Sequence, residues 1–329
     1  MKTNILITAV NAAPGRSVYN SLKKNKNLKI TIVDSDTNSV FNFLEDNDFY
    51  NCPKANKKGY KKFINNLIKN KKIKIIIPCI EPEIIFFSKN KKYYEKKKIN
   101  ILIPEISAIN KVVNKFSLYT HCKKIGIKTP KSEKITFPVK KKYLNIKYPL
   151  IIKPIIGWGM NSISIVKNKK EFNKISKNLK GRFLIQKYLG NYKKNIYAVG
   201  ILIDKQNKER MSFVSKSILT KYKNGGPAHA GIEVKNQYLL NTVKKLIGSI
   251  NGFCGPAMVE FIKLRGKNNY YLIDFNPRIW GYSQLAYFNG KNFSQAIVDI
   301  ILNNKIKQNY KSSMKYMMLR DFIDLKILN

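Results

Sequence analysis

The segment YYLIDFNPRIWG, from Tyr270 to Gly281, carries the most specific polar pattern in the chain. Within it, Asp274, Asn276 and Arg278 are spaced two apart in an otherwise apolar run. Because successive side chains of a strand point to opposite faces, these three side chains share one face. A buried row of a carboxylate, an amide and a guanidinium needs a partner such as a metal ion or a phosphate. We therefore expect a ligand site on this strand.

The strand AMVEFI lies just upstream, and the turn LRGKNN connects it to the segment above. A hairpin that turns near Gly266 places Glu260 opposite Asp274, at a side-chain separation of about 5 Å that destabilises like charges. A divalent cation resolves this conflict, and oxygen atoms of Glu260, Asp274 and Asn276 suit Mg²⁺. Arg278 can then hold a phosphoryl group with two hydrogen bonds. The alternative is a salt-bridged strand pair in which Arg278 neutralises one acid.

Two further segments have weaker patterns. In YPLIIKPIIGWGMNSISIV, Lys153 ends an apolar strand, and the glycine-containing turn over 157–162 can offer backbone N–H groups to phosphate oxygens. By itself, this pattern also fits an ordinary hairpin with a lysine. FLIQKYLG, from Phe183 to Gly190, predicts a strand that ends in Gln-Lys and runs into a turn.

The chain has 329 residues, of which 44% are hydrophobic, and a formal net charge of +44. Lys, Asn and Ile are enriched together along the whole chain, which favours a compositional bias and a solvated basic surface. The lysine tracts are not interleaved with aromatics in the manner of RNA-binding surfaces, so we expect no specific nucleic-acid partner. A basic polyanion-binding protein remains the alternative from another class, and it predicts strongly salt-dependent binding.

Cysteine usage and hydropathy bear on the compartment. Cys52, Cys79, Cys122 and Cys254 are scattered without CxxC spacing, which argues against a zinc site and favours a reducing, cytoplasmic setting. No apolar run is long enough to span a bilayer, so we expect no membrane partner. The N-terminal MKTNILITAV predicts a first strand, because it lacks a full signal-peptide pattern.

The first hundred residues alternate strands and helices, which indicates a parallel sheet with right-handed crossovers. The predicted strands cover 4–10, 29–34, 73–78 and 99–103, and the predicted helices cover 14–24 and 60–69. The turn NAAPGR followed by Asp34 invites a dinucleotide-binding interpretation, but it has one glycine where the phosphate cradle needs three. Glu81 and Glu83 follow a predicted strand, where ligands of parallel sheets bind.

The remainder predicts an α+β region. A helix over 110–125 precedes strands over 150–153, 162–166, 182–187, 196–203 and 211–217. The glycine-rich KNGGPAHAG predicts a loop, a helix follows over 236–249, and the segment beyond about residue 305 receives no assignment.

Taken together, these segments resemble the ATP-grasp superfamily. The resemblance rests on a Lys-Pro strand followed by a glycine loop, a QKYL hinge, and a hairpin in which an upstream Glu precedes DFNPR. It covers nearly the whole chain, including a preceding α/β domain similar to that of carbamoyl-phosphate synthetase and biotin carboxylase. The pattern is most similar to the single-chain carboxylate-amine ligase-like branch, where a segment like GGPAHAG precedes a helix and the hairpin ends in NPRxWG.

The resemblance implies an N-terminal parallel α/β domain over 1–108, followed by a two-lobed ATP-grasp fold. The small lobe is expected over 109–187, and the large lobe, with the metal hairpin and C-terminal helices, over 188–329. Three departures from the family pattern are evident. Trp158 stands in the flap, no ribose-binding acid follows the hinge, and Asp274 replaces the commoner Glu.

The resemblance also implies roles for individual residues. The residues expected to contact ATP are Lys115 and Lys153 at the phosphates, Gly157, Gly159, Asn161 and Ser162 in the flap, and Gln186, Lys187 and Leu189 around the adenine. The expected metal ligands are Glu260, Asp274 and Asn276, with Arg278 and Asn276 acting on the transferred phosphoryl group. Gly225, Gly226 and His229 are candidates for substrate contact.

The implied activity is an ATP-dependent, ADP-forming ligation of a small-molecule carboxylate to an amine through an acyl-phosphate. ATP and Mg²⁺, for which Mn²⁺ can substitute, are the implied cofactors. A small-molecule kinase of the same fold is the alternative, and a homodimer is left open. The identities of the acid and the amine are not assigned.

Overall fold

The computed structural model describes residues 2–39, 41, 48–138, 145–157, 163–190, 195–222, 225–306 and 317–319. These residues form one parallel sheet of four strands and two antiparallel sheets of four and six strands. No helix among them is both long enough and apolar enough to cross a membrane. The arrangement confirms the expected combination of an α/β region with an α+β region.

The N-terminal sheet has the order β3-β2-β1-β4, and all of its strands are parallel. Its strands are β1 (Thr3–Ile7), β2 (Leu28–Asp34), β3 (Asp48–Asn51) and β4 (Ile75–Ile77). Its helices are α1 (Ala13–Leu22), α2 (Tyr60–Lys71), α3 (Glu81–Lys89) and α4 (Lys91–Lys96). The predicted strand over 99–103 is wrong, because this segment pairs through a single bridge from Asn100 to Ile75 while its apolar side chains fill the core.

The turn NAAPGR has a structural explanation. A Cβ atom added at Gly15 would lie 2.1 Å from the backbone oxygen of Ala9, so the residue must be small where α1 crosses the end of β1. The carboxylate of Asp34 accepts hydrogen bonds from the backbone N–H groups of Asn11 and Asp36, each at 2.8 Å. The glycine and the acid that suggested a dinucleotide cradle therefore shape this turn.

The next region pairs two helices with a small sheet of order β5-β8-β6-β7. Its elements are α5 (Ile106–Val113), α6 (Lys115–Lys124), β5 (Ser132–Phe137), β6 (Leu150–Pro154), β7 (Ser164–Val166), α7 (Lys169–Ser176) and β8 (Gly181–Lys187). The predicted single helix over 110–125 is wrong. The chain breaks at Asn114, whose side chain accepts a hydrogen bond from the N–H of Ser117 at 3.0 Å and thereby caps α6.

The large sheet has the order β13-β12-β9-β10-β11-β14. Its strands are β9 (Ile196–Ile203), β10 (Glu209–Tyr222), β11 (Gly225–Glu233), β12 (Gly255–Lys263), β13 (Tyr270–Asn276) and β14 (Met317–Leu319). The helices are α8 (Gln237–Gly248), α9 (Gln284–Phe288) and α10 (Phe293–Ile301). The prediction of a loop at KNGGPAHAG is wrong for its described part, because Gly225 onward forms a strand paired with β10.

Hydrogen bonds attach the end of the NPRIWG segment to the N-terminal domain. The hydroxyl of Ser17 on α1 donates to the backbone oxygen of Gly281 at 2.6 Å. The side-chain amide of Gln284 donates to the backbone oxygen of Ser17 at 2.7 Å and to the hydroxyl of Ser21 at 2.6 Å. One hydrophobic cluster joins side chains from both regions, so the segment after β13 is held against α1.

We expect Gly200→Ala to destabilise the protein. Gly200 lies in the middle of β9, where an added Cβ atom would stand 2.1 Å from Cη2 of Trp280. The indole is 1% exposed and packs edge-on against Phe293, with ring centroids 4.8 Å apart. Moving it to make room would therefore disrupt this packing and cost free energy. Such overpacking should lower the free energy of unfolding by about 1–3 kcal/mol, measured by urea denaturation.

Gly248→Ala is the matched control. Gly248 ends α8, and a Cβ atom there would meet nothing within 4 Å, so this change should be neutral or slightly stabilising. Equal denaturation midpoints for Gly200→Ala and the unaltered protein would contradict the tight packing of Trp280 on β9.

Candidate active site

The hairpin of β12 and β13 has the register that the sequence predicts. Glu260 pairs with Asp274, and Met258 pairs with Asn276. Directly opposed residues share one face of the sheet, at a side-chain separation of about 5 Å. Two carboxylates therefore face each other across neighbouring strands, which confirms the expected juxtaposition.

The polar row beyond Asp274 is linked by hydrogen bonds. The side-chain amide of Asn276 donates to the carboxylate of Asp274 at 3.2 Å. Nη2 of Arg278 donates to Oδ1 of Asn276 at 3.1 Å, and Nη1 donates to the backbone oxygen of Ile279 at 3.0 Å. Asn276 is 6% exposed, so its contacts fix both charged neighbours on the predicted face.

The electrostatics of the pair favour a cation. Burial raises the pKa of Glu260, and the charge of Asp274 raises it further, while Arg278 and Lys153 act in the opposite direction. The donor set consists of carboxylate and amide oxygens, which a hard cation such as Mg²⁺ or Mn²⁺ prefers. Within the described part of the chain, no group of three or more His, Cys, Asp or Glu side chains has a geometry that could hold a metal ion. Two carboxylates suffice for Mg²⁺, because it keeps waters and substrate phosphates as its other ligands.

Lys153 on β6 lies against this hairpin. It is 6% exposed, and its Nζ donates to the hydroxyl of Tyr119 at 2.7 Å and to the backbone oxygen of Ile273 at 3.3 Å. Burial lowers the pKa of Lys153 to about 8, against the opposing influence of Asp274 and Glu260. The Tyr119 hydroxyl in turn donates to the backbone oxygen of Ile273 at 2.5 Å. The lysine is therefore fixed beside the two acids.

Lys115 contacts the beginning of the predicted flap. Its Nζ donates to the backbone oxygen of Gly157 at 2.8 Å, and its backbone N–H donates to that of Ile155 at 3.0 Å. Both contacts follow from its position as the first residue of α6, directly after the cap. The other predicted flap residues, Gly159, Asn161 and Ser162, lie outside the described residues, as does Trp158.

The predicted adenine contacts lie at the end of β8. Gln186 pairs with Ile151 in the sheet and so shares a face with Lys153. It is 1% exposed, and its side-chain amide donates to the Ser132 hydroxyl at 2.9 Å. The backbone N–H of Lys187 donates to the oxygen of Lys131 at 2.8 Å. Leu189 follows the strand as a half-buried residue. The adenine role of these residues stays a prediction.

The candidate substrate residues Gly225, Gly226 and His229 all lie on β11. Their placement on a strand replaces the loop that the glycines suggested. The side chain of His229 lies outside the described part of the chain.

Glu81 and Glu83 begin α3 at the carboxyl end of β4 and are 6% and 4% exposed. The carboxylate of Glu83 accepts hydrogen bonds from the Thr8 hydroxyl and from the backbone N–H of Cys79. Burial, more than the charge of Asp34, raises the pKa of Glu83 to about 7. The pKa of Glu81 also rises to about 7, through burial and the charge of Asp274. Glu81 therefore belongs to the electrostatic surroundings of the hairpin.

Glu83 should make stability depend on pH. The folded chain binds this proton more tightly than an unfolded chain, whose Glu titrates near 4.5, so the unfolding free energy falls as the pH rises between about 4.5 and 7. Glu83→Gln has no titrating carboxyl group at this position, so it does not lose this part of its stability as the pH rises. The stability of the variant relative to the unaltered protein should therefore increase by about 3 kcal/mol between pH 4.5 and 8. Denaturant titrations at both pH values measure it, and a pH-independent difference would contradict the buried, ionising carboxyl group.

Two residues of the site were missed from the sequence. Tyr119 positions Lys153, and a usable signal was its place four residues after Lys115, on the same face of α6. Tyr282 is buried and hydrogen-bonds to the side chain of Ser215, and burial followed by the charge of Glu260 raises its pKa. No local sequence pattern predicts a role for Tyr282, because its electrostatic interaction with Glu260 depends on tertiary packing.

Comparisons with known proteins identify the family and the fold. The family model described as an ATP-grasp domain matches residues 112–282, and a model described as a PylC-like N-terminal domain matches residues 5–102. A search of curated proteins found no match.

Many solved structures share the fold at low sequence identity. An L-amino acid ligase from Bacillus licheniformis superposes with a TM-score of 0.71 at 16% identity, covering 92% of this chain and 74% of that one. An N5-carboxyaminoimidazole synthetase from Staphylococcus aureus, complexed with ADP, gives 0.71 at 18% identity, covering 94% and 80%. The biotin carboxylase domain dimer of the Hydrogenobacter thermophilus 2-oxoglutarate carboxylase, with MgADP, ADP and bicarbonate, gives 0.70 at 19% identity, covering 94% and 72%.

Proposed function

Because the chain belongs to the ATP-grasp domain family, we propose that it is an ATP-dependent, ADP-forming ligase that joins a small-molecule carboxylate to an amine. Ligases and carboxylases that share this fold are complexed with ADP or MgADP, which supports the nucleotide part of the proposal. The division into a domain over 1–108 and lobes over 109–187 and 188–329 belongs to the same proposal, with the nucleotide between the lobes.

The observation that carries the proposal is the opposition of Glu260 and Asp274, continued by Asn276 and Arg278 along one face. Like charges directly opposed on two strands are unfavourable without a cation. A carboxylate pair followed by a guanidinium suits a metal-bound polyphosphate, since the metal occupies the acids and the guanidinium binds a phosphoryl oxygen pair.

In this proposal, basic side chains offset the charge of the phosphates. An ammonium group has three donors, and Lys153 uses two of them on Tyr119 and Ile273, so one remains for a phosphate oxygen. Lys115 donates to the backbone oxygen of Gly157, where the expected flap begins. Glu260, Asp274 and Asn276 would hold Mg²⁺, which when bound supplies positive charge to the phosphate oxygens.

The reaction proceeds in two steps. A carboxylate oxygen of the acid attacks the γ-phosphorus of ATP, the bond from that phosphorus to the β–γ bridging oxygen breaks, and ADP leaves. The amine nitrogen then attacks the acyl carbon, the C–N bond forms, and phosphate departs as the proton of the nitrogen is released. Arg278 holds the phosphoryl group through both steps. Positioning and electrostatic stabilisation supply the catalysis, as phosphoryl transfer generally requires.

The test is a product analysis with ATP, Mg²⁺ and panels of acids, amino acids and other amines. We expect equimolar ADP and phosphate when an acid and an amine are both supplied, together with an amide product. Hydroxylamine in place of the amine should trap the acyl-phosphate as a hydroxamate. AMP with pyrophosphate would overturn the proposal, and a stable phosphorylated acceptor without free phosphate would identify a kinase instead.

A further inference from the structure

Glu81 and Glu83 are equally buried neighbours with different surroundings. Glu83 accepts hydrogen bonds from Thr8 and from the N–H of Cys79. The carboxylate of Glu81 is 6% exposed and accepts no hydrogen bond from any residue that the structure describes. Its oxygen atoms keep some contact with solvent, so a ligand can reach them. A largely buried carboxylate is stabilised by a ligand that donates a hydrogen bond to it. The role of Glu83 is explained by the fold, and that of Glu81 is not.

Glu81 lies at the same cleft as the hairpin of β12 and β13. It follows β4 at the carboxyl edge of the parallel sheet, where ligands of such sheets bind. Pro78, three residues before Glu81, lines one cavity with Pro277 and Arg278 of the candidate site. The charges of Asp274, Arg278 and Lys115 act on Glu81 there. The N-terminal domain therefore contributes one carboxylate to a cleft that otherwise carries the phosphate and metal groups.

The chemistry of this carboxylate selects one kind of ligand. A phosphate or a carboxylate would be repelled by Glu81 and attracted to Arg278 and Lys115. A cationic N–H donor would supply the missing hydrogen bond in its strong, charge-assisted form. An ammonium group fits this description, and the proposed ligation requires an amine.

We propose that Glu81 binds the ammonium group of the amine substrate, across the cleft from the acid and phosphoryl groups held at Arg278, and accepts one proton from it before the nitrogen attacks the acyl carbon. This assignment rests on the proposed function, because it places the second substrate of the proposed ligase. The N-terminal domain then selects the amine, and the hairpin activates the acid.

Binding measurements test Glu81 without turnover. The probes are glycinamide, which is cationic, and N-acetylglycinamide, which is matched but neutral, each titrated by calorimetry with ADP and Mg²⁺ present. The unaltered protein should bind glycinamide and not the neutral probe. Glu81→Gln should weaken glycinamide binding by about tenfold or more, as expected for loss of a charged hydrogen bond. Glu83→Gln, a matched change on the same helix, should stay within about twofold.

Three results would overturn the assignment. In the first, the unaltered protein does not bind glycinamide. In the second, Glu81→Gln binds glycinamide as tightly as the unaltered protein. In the third, Glu81→Gln loses as much affinity for Mg²⁺ as for the amine. The last result would make Glu81 a metal-site residue.

Turnover separates this inference from the proposed function. In Glu81→Gln, the KM for the amine should rise by about tenfold or more, while hydroxamate formation with hydroxylamine stays within about twofold. Ligation with an unchanged amine KM would leave the proposed function standing and remove the role of Glu81. If the unaltered protein makes only a phosphorylated acceptor, the ligase proposal fails, and the glycinamide titration still decides whether Glu81 binds ammonium.

Discussion

Asp274→Asn is expected to reduce Mg²⁺-dependent ADP formation by about a hundredfold or more, since a bound metal stabilises transition-state charge by several kcal/mol. The substitution keeps the size of the side chain and an oxygen that can still accept from Asn276. It removes one of the two opposed carboxylates. Initial rates across a range of Mg²⁺ concentrations measure the effect, and the apparent Mg²⁺ requirement should rise together with the loss of rate.

Asp36→Asn is the control, because it makes the same chemical change at an exposed residue outside the hairpin. Its rate should remain within about twofold of the unaltered protein. Near-normal ADP formation by Asp274→Asn at limiting Mg²⁺ would show that the hairpin does not hold the metal. A basic polyanion-binding protein would also be indifferent to Asp274→Asn, and its binding would weaken steeply with salt. Polyanion retention by this variant that is weak, or that does not depend on the salt concentration, would therefore decide against that class.

The hairpin could be predicted from the sequence because the signal is local. A two-residue period fixes which side chains share a face, and one glycine turn sets which residues oppose each other. Glu260 and Asp274 are only one hairpin apart in the chain, so their pairing needed no knowledge of the rest of the fold. The alternation of strands and helices likewise predicted the parallel sheet.

Other parts of the site depend on contacts between distant segments. The Tyr119 hydroxyl donates to the backbone oxygen of Ile273 across 154 positions. The charge of Asp274 acts on Glu81, which lies far from it in the sequence. Local periodicity contains no information about such docking. The strand beginning at Gly225 was missed for another reason, since glycine has low strand propensity and pairing with β10 overrides it. The segment over 99–103 was mistaken for a strand because its isoleucines are buried in the core rather than paired in the sheet.

Lys153→Met should produce the second large loss of activity. Methionine fills a similar volume and removes the only charge at this position, which lies 2.7 Å from the Tyr119 hydroxyl and within reach of both acids. In the proposed function, the ammonium group donates a charge-assisted hydrogen bond to an ATP phosphate in a buried setting, and the substitution removes it. ADP formation should therefore fall by about a hundredfold, comparable to the loss of one preorganised donor in other enzymes. Rates at saturating ATP, with nucleotide binding measured by calorimetry, separate the effect on chemistry from that on affinity.

Lys134→Met is the matched control for Lys153→Met, because Lys134 is an exposed lysine on β5 of the same sheet. Tyr119→Phe tests the positioning of Lys153 separately, since it keeps the ring and removes the hydroxyl between Nζ and the oxygen of Ile273. Removal of one hydrogen bond to a charged group should cost about tenfold in rate, an intermediate effect. If Lys153→Met were as active as Lys134→Met, the buried ammonium group would serve only to offset the charges of the opposed carboxylates, and the phosphate contact would have to come from another side chain.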